Sequence, residues 1–270
     1  MDPLDLKRFF DGLGMNGLRW QWRVNRWKRS LREFFHGGTT RDSFSVTRAL
    51  ILVNLILFTV MVLQGMAAGR GLSPLLNPDG ELMLHAGAQF WPLVLQQGQW
   101  WRCLTYAFTH GGIIHIGFNM VVLYQVGPLI EFEIGKSRYI FLYTFTALTA
   151  TLAGLLWHPY VLVVGASGAL FGLIGFAVAY YHRMGDPIAI QRRNFMFQWA
   201  IFAFVFGLLV GADNAGHLGG AIGGLVVGLI LPIRGRLLRA TDPLFKVLGT
   251  LSTVAIIYSL AMLAISWVHP

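Results

Sequence analysis

Ser167 stands in the run Val164-Gly165-Ala166-Ser167-Gly168-Ala169-Leu170-Phe171-Gly172, inside a long apolar stretch. Two histidines, His115 and His217, lie near the starts of two other apolar stretches. Asn119 follows His115 by four residues, so on a helix both project from one face. A group that titrates inside an apolar span is costly to bury and marks a candidate functional position. A hydroxyl beside an imidazole supports acyl transfer, because the base takes the hydroxyl proton as the oxygen attacks. Each piece alone has a plainer account. The Gly-x-Ser-Gly run also reads as a small-residue packing face, a histidine in a span as a satisfied structural group, and His115 with Asn119 as an interhelical hydrogen-bond patch.

What positions these groups follows from composition. Of 270 residues, 55% are hydrophobic and 12% charged, the formal charge is +9, and mean hydropathy is +0.59. A chain this apolar is not disordered, since disorder needs low hydrophobicity and high charge. Cys103 is the single cysteine, which excludes a disulfide framework. A polytopic membrane protein is expected. No cleavable signal peptide is read, because the first long apolar stretch begins near Ala49 after a segment rich in Lys and Arg.

Seven runs are long enough to cross a bilayer, which takes about 20 apolar residues. They are Ala49–Met66, Gly112–Ile130, Tyr139–Trp157, Val161–Tyr181, Phe195–Gly211, Ala215–Ile233 and Val247–Val268, none with Asp, Glu, Lys or Arg. With seven crossings, alternate connecting segments share a side. All but Arg70 and Arg102 of the 21 Lys and Arg then fall on one side. The positive-inside rule places that side, with the N-terminus, in the cytoplasm and the C-terminus outside. The basic balance is thereby topology, and no nucleic-acid partner is expected. Trp20, Val24, Trp27, Leu31 and Phe34 recur at helical spacing among basic residues, which suits an interfacial helix on anionic membrane lipids. Segment 67–111, with Trp91, Trp100 and Trp101, is expected to lie at the outer membrane interface.

The second, fourth and sixth runs all start from the outer side, so His115, Ser167 and His217 lie at similar depth. Gly220, Gly224 and Gly228 repeat every four residues on the stripe that holds His217, and Gly168, Gly172, Gly175 and Ala179 form a matching stripe beside Ser167. Small residues at this spacing let helices approach closely in lipid, which brings Ser167 beside His217.

With these features together the chain resembles the rhomboid intramembrane serine proteases. The resemblance rests on Gln99-Trp100-Trp101-Arg102, Thr105, Phe108, His110-Gly111-Gly112, His115, Asn119, Gly165-Ala166-Ser167-Gly168-Ala169, His217, Gly220, Gly224 and Gly228, in family order from about Arg48 to Pro232. It implies an all-α polytopic bundle, with a rhomboid-like six-helix core plus one C-terminal transmembrane helix. The expected divisions are a basic N-terminal segment (1–47), the core (48–233), and a linker with the seventh span (234–270). It further implies Ser167 as nucleophile, His217 as general base, and an oxyanion hole of Asn119, His115 and the Ser167 backbone N–H. Gly165, Gly168, Phe171, Gly220, Trp101 and Arg102 are expected in support. The implied reaction is cleavage of single-span or other transmembrane protein substrates near the outer face, in a bacterial cytoplasmic membrane, with no cofactor or metal.

The chain departs from the family pattern at Gly216, where Ala is common, and at Phe171, where some members have Tyr. Phe171 stacks on an imidazole but offers it no hydroxyl, so packing alone must orient His217. Asp213, four residues before His217, reads either as a third catalytic member or as the N-cap of its helix, with the cap favoured. No His-Glu-x-x-His run and no aspartate pair within the spans offers another protease chemistry. The competing readings are a catalytically inactive rhomboid-like factor that binds membrane proteins, which the intact Ser–His pair disfavours, and a proton-relaying transporter, which the absence of acidic residues within the spans disfavours.

Overall fold

The computed structural model describes residues 45–210 and 213–268, together with Asp11, Gly17, Leu18 and Gln21. Trp20, Val24, Trp27, Leu31 and Phe34, the apolar face of the expected interfacial helix, lie outside the described residues. From Val46 onward the chain is helical: α1 (Val46–Ala67), α2 (Ser73–Leu76), α3 (Gly80–His85), α4 (Trp91–Gln97), α5 (Arg102–Thr105), a 3-10 turn (Tyr106–Phe108), α6 (Ile113–Ile134), α7 (Lys136–Trp157), α8 (Ser167–Met184), α9 (Pro187–Val210), α10 (Asn214–Ile230), α11 (Gly235–Ala240) and α12 (Asp242–Val268). Among the described residues, α1, α6, α7 and α12 are long and apolar enough to cross a membrane, and α10 is a shorter apolar helix of 17 residues. At 1.5 Å per residue, 22 residues span about 33 Å, the thickness of the hydrocarbon core.

Each of the seven apolar runs corresponds to a helix, but the ends differ from hydropathy. The run Val161–Tyr181 is helical only from Ser167. Before it, Val163 pairs with Gln89 in an isolated antiparallel bridge, and Gly165 takes φ +114°, a conformation closed to side chains with a Cβ. Ser167 therefore opens its helix rather than lying a turn and a half inside one. The second run extends past Ile130 to Ile134 and takes in Glu131 and Glu133. Both acids have partners. Glu131 accepts from Val46 N, Thr47 N and Thr47 Oγ1 (2.7, 2.9 and 2.7 Å), which caps α1 from another helix, and Glu133 pairs with Arg192 at 2.5 Å. The sixth run stops at Ile230, short of Pro232, and the last begins early, at Asp242.

The centre of the bundle is α8 against α10, with α7 packed on both. A Cβ at Gly220 or Gly224 would be driven into the carbonyl of Gly168 or Gly172, so these two backbones touch and only glycine fits the seam. At the end of the bundle away from Ser167, Arg183 Nη1 donates to Gly228 O (2.9 Å) and Leu231 O (2.8 Å), and Tyr180 OH donates to Ile233 O (3.0 Å). These bonds satisfy carbonyls in the last turn of α10 and just past its end.

Candidate active site

The close seam between α8 and α10 fixes the register of their first turns. Ser167 is the first residue of α8, and His217 lies in the first turn of α10. His217 Nε2 is 2.8 Å from Ser167 Oγ, a full hydrogen bond. The Phe171 ring stacks on the imidazole, with centroids 4.3 Å apart and planes at 21°. The other imidazole nitrogen, Nδ1, is buried and meets no partner among the described residues. The base is thus held by packing and by its bond to the serine. The Asp213 carboxylate makes its bonds elsewhere. Its Oδ1 accepts from Gly216 N (3.0 Å), which makes it the N-cap of α10, and sits 2.7 Å from His158 Nε2. Of the two readings of Asp213, the structure gives the cap.

α6 contributes the groups opposite. His115 Nδ1 accepts from Gly111 N at 3.3 Å, so the neutral ring carries its proton on Nε2. A Cβ at Gly165 would come within 2.7 Å of that Nε2 and 3.7 Å of Asn119 Nδ2, which shows how closely the segment entering α8 lies against both groups. Asn119 Nδ2 donates to His115 O (3.0 Å), and the carboxamide keeps its second N–H. As the start of α8, the Ser167 end also presents helix N–H groups without intrahelical acceptors and the positive end of the helix dipole, both suited to an anion. Ser167, His217, His115 and Asn119 line one open cleft of about 390 Å³. Its apolar wall includes Phe118 of α6 and Phe206 of α9, stacked at 4.0 Å.

Gly165, Gly168, Phe171 and Gly220 stand around this cleft and its seam. Trp101 and Arg102 do not line it. The Arg102 guanidinium is buried, donates from Nη1 to Leu84 O (2.7 Å) and Ala88 O (2.8 Å) and from Nε to Gln99 Oε1 (2.5 Å), and stacks over Trp101 at 4.4 Å. Burial pushes its pKa down to about 10. This is a buckle within the loop, distant from the reacting pair in bonding terms. Sequence reasoning passed over Tyr106. Its carbonyl accepts from Gly165 N (2.9 Å) and its hydroxyl donates to Ala147 O (2.7 Å), so it ties the segment before Ser167 to α7. An aromatic in an aromatic-rich loop gave no signal of that role. His110, one of the residues that carry the resemblance, is fully buried, stacks edge-on to His115 at 5.2 Å and receives Ala166 N at 3.5 Å. Desolvation, then the neighbouring His115, hold its pKa well below the usual histidine value. Among the described residues, no group of three or more His, Cys, Asp or Glu is placed to hold a metal ion.

The comparison with known proteins agrees with this arrangement. Residues 97–234, half of the chain, match the family described as the rhomboid domain. Rhomboid protease GluP of Bacillus subtilis is 34% identical over 147 residues, 51% of this chain and 27% of that protein. RHOMBOID-like protein 2 of Arabidopsis thaliana is 31% identical over 164 residues, 60% of this chain and 52% of the relative. The chain thus spans about a quarter to a half of the length of those two relatives. Rhomboid protease AarA of Providencia stuartii is 26% identical over 241 residues, covering 80% of this chain and 83% of the relative.

Proposed function

The chain belongs to the rhomboid family as a multi-pass membrane protein, and from that premise we propose that it is an intramembrane serine endopeptidase working through a Ser167–His217 dyad. The observation that carries the reading is the 2.8 Å contact between Ser167 Oγ and His217 Nε2. His217 Nε2 takes the hydroxyl proton as Oγ attacks the scissile carbonyl carbon. The oxyanion accepts from the Ser167 backbone N–H, the second N–H of Asn119 and His115 Nε2–H. Donors of this kind are aimed where charge develops, and each is worth about 10²–10³ in rate. The tetrahedral intermediate collapses, His217 returns its proton to the leaving amine, and the acyl group stays on Oγ. Water entering the cleft then reverses the roles and releases the second product.

The substrate is a transmembrane protein segment, cut near the outer face of the membrane. A peptide bond inside a helix is shielded, and its carbonyl already accepts a hydrogen bond, so the segment must unwind to enter the cleft. The proposed placement follows the charge pattern: cytoplasmic N-terminus, seven spans made of a six-helix core (48–233) and α12, and a C-terminus outside, in a bacterial cytoplasmic membrane.

The test is cleavage of single-span substrates by the full chain in proteoliposomes. Wild type cuts, and Ser167→Ala does not. Equal cleavage by both rejects the reading, as does binding without cleavage by wild type, the outcome an inactive membrane-protein-binding factor gives.

A further inference from the structure

The turn 84–88, from the last two residues of α3 into the loop before α4, gathers side-chain hydrogen bonds on its carbonyls. Arg102 Nη1 donates to Leu84 O (2.7 Å) and Ala88 O (2.8 Å). Trp267 Nε1 donates to His85 O (2.8 Å). Thr109 Oγ1 donates to Ala86 O (2.8 Å), and Thr105 Oγ1 to Gly87 O (2.7 Å). Consecutive carbonyls from Leu84 to Ala88 are each taken by a side chain. All of these donors belong to the loop itself except Trp267, which comes from α12.

The turn is joined to the site on two sides. Its next residue, Gln89, exchanges both backbone hydrogen bonds with Val163, four residues before Ser167 (2.9 Å each). Thr109, held on Ala86 O, directly precedes the buried His110.

α12 is fixed along its length. Gly249, Ser252, Ile256, Ser259 and Leu263 are its buried residues, spaced alternately by three and four, a seam of period 3.5 against α7 and α5. At its start, Arg138 Nη2 donates to Asp242 Oδ1 (2.5 Å), Thr241 Oγ1 (2.8 Å) and Leu238 O (2.8 Å). At its other end, Leu263 lies against Gly87, where an added Cβ would sit 3.1 Å from Leu263 Cδ2. Trp267 follows Leu263 by four residues, one helical turn further along α12.

We propose that Trp267 is a positioning residue: its indole N–H, donated to His85 O, lets α12 restrain the 84–88 turn and through it the segments that carry His110 and enter Ser167. The kinetic part of this inference rests on the protease reading above. The restraint itself does not, and the test separates the two.

Cys103 provides the readout. It is the single cysteine, is buried, and adjoins Arg102, whose guanidinium grips both ends of the turn. Burial pushes its thiol up to about 11, so modification at neutral pH reports opening of the loop. The rate of N-ethylmaleimide reaction at Cys103 is measured in the full chain for wild type, Trp267→Phe, which keeps a ring and loses the donor, and Trp267→Ala. One hydrogen bond lost predicts about two- to tenfold faster modification in Trp267→Phe, more in Trp267→Ala, and a matching fall in kcat with KM unchanged. Thiol rates equal to wild type in both variants overturn the proposal, as does a faster thiol with unchanged kcat. Wild type without Ser167-dependent cleavage rejects the protease reading instead, and the thiol rates still decide the restraint.

Discussion

Among the described residues, Ser167 and His217 form a pair with no carboxylate hydrogen-bonded to the imidazole. Asp213 caps α10 and meets His158, while Nδ1 of His217 makes no hydrogen bond among the described residues. This makes Asp213→Asn a discriminating substitution. A triad aspartate loses about 10⁴ in kcat when changed to asparagine. Here the asparagine still accepts from Gly216 N, so kcat measured on a reconstituted substrate is expected within about tenfold of wild type, the scale set by a weakened cap of about 1 kcal/mol. Asn119→Ala is expected to behave differently. It removes an oxyanion donor and leaves the dyad in contact, so kcat falls about 10²-fold while KM changes little. A rise in KM at constant kcat would instead place Asn119 in ground-state binding.

The helix pair α8–α10 determines whether those residues meet at all. Gly224→Ala drives a methyl into the Gly172 carbonyl, a backbone atom that cannot swing aside. The helices must separate, so the thermal midpoint in detergent is expected to fall, with overpacking of this kind costing about 1–3 kcal/mol. Activity should fall with it, because the seam sets the Ser167–His217 distance. An unchanged midpoint with full activity would show that the seam tolerates a Cβ. This contact was legible in the sequence, where Gly220, Gly224 and Gly228 match the stripe of Gly168, Gly172, Gly175 and Ala179 in spacing. The entry to α8 was not. Val161, Leu162, Val163 and Val164 are as apolar as any span, and hydropathy cannot distinguish an extended strand that pairs with Gln89 from a helical turn. The link between Asp213 and His158 was hidden for another reason: the two lie 55 residues apart and only the tertiary fold joins them. The grip of Arg102, Thr105 and Thr109 on one turn was hidden likewise, since backbone carbonyls leave no mark in a sequence.

Among the described residues, most of the cations lie at the end of the bundle away from the cleft, with Arg70 and Arg102 in the loop segment on the cleft side. The cations Arg138, Arg183, Arg192 and Arg234 make their bonds to carboxylates and helix-end carbonyls at the end away from the cleft. The proposed topology makes that end cytoplasmic. In a Cys103→Ser background, Gln97→Cys and Arg236→Cys place single thiols at exposed positions at opposite ends. A membrane-impermeant maleimide applied to intact cells is expected to label Gln97→Cys and spare Arg236→Cys, and the reverse pattern would invert the protein in its membrane. The proposed reaction depends on one serine made nucleophilic by one histidine. The most direct measurement is labelling with a fluorophosphonate probe followed by mass spectrometry of the modified peptide. The expected result is a phosphonyl group on Ser167 that is lost in His217→Ala. Modification at another residue, or at Ser167 with equal rate in His217→Ala, would contradict it.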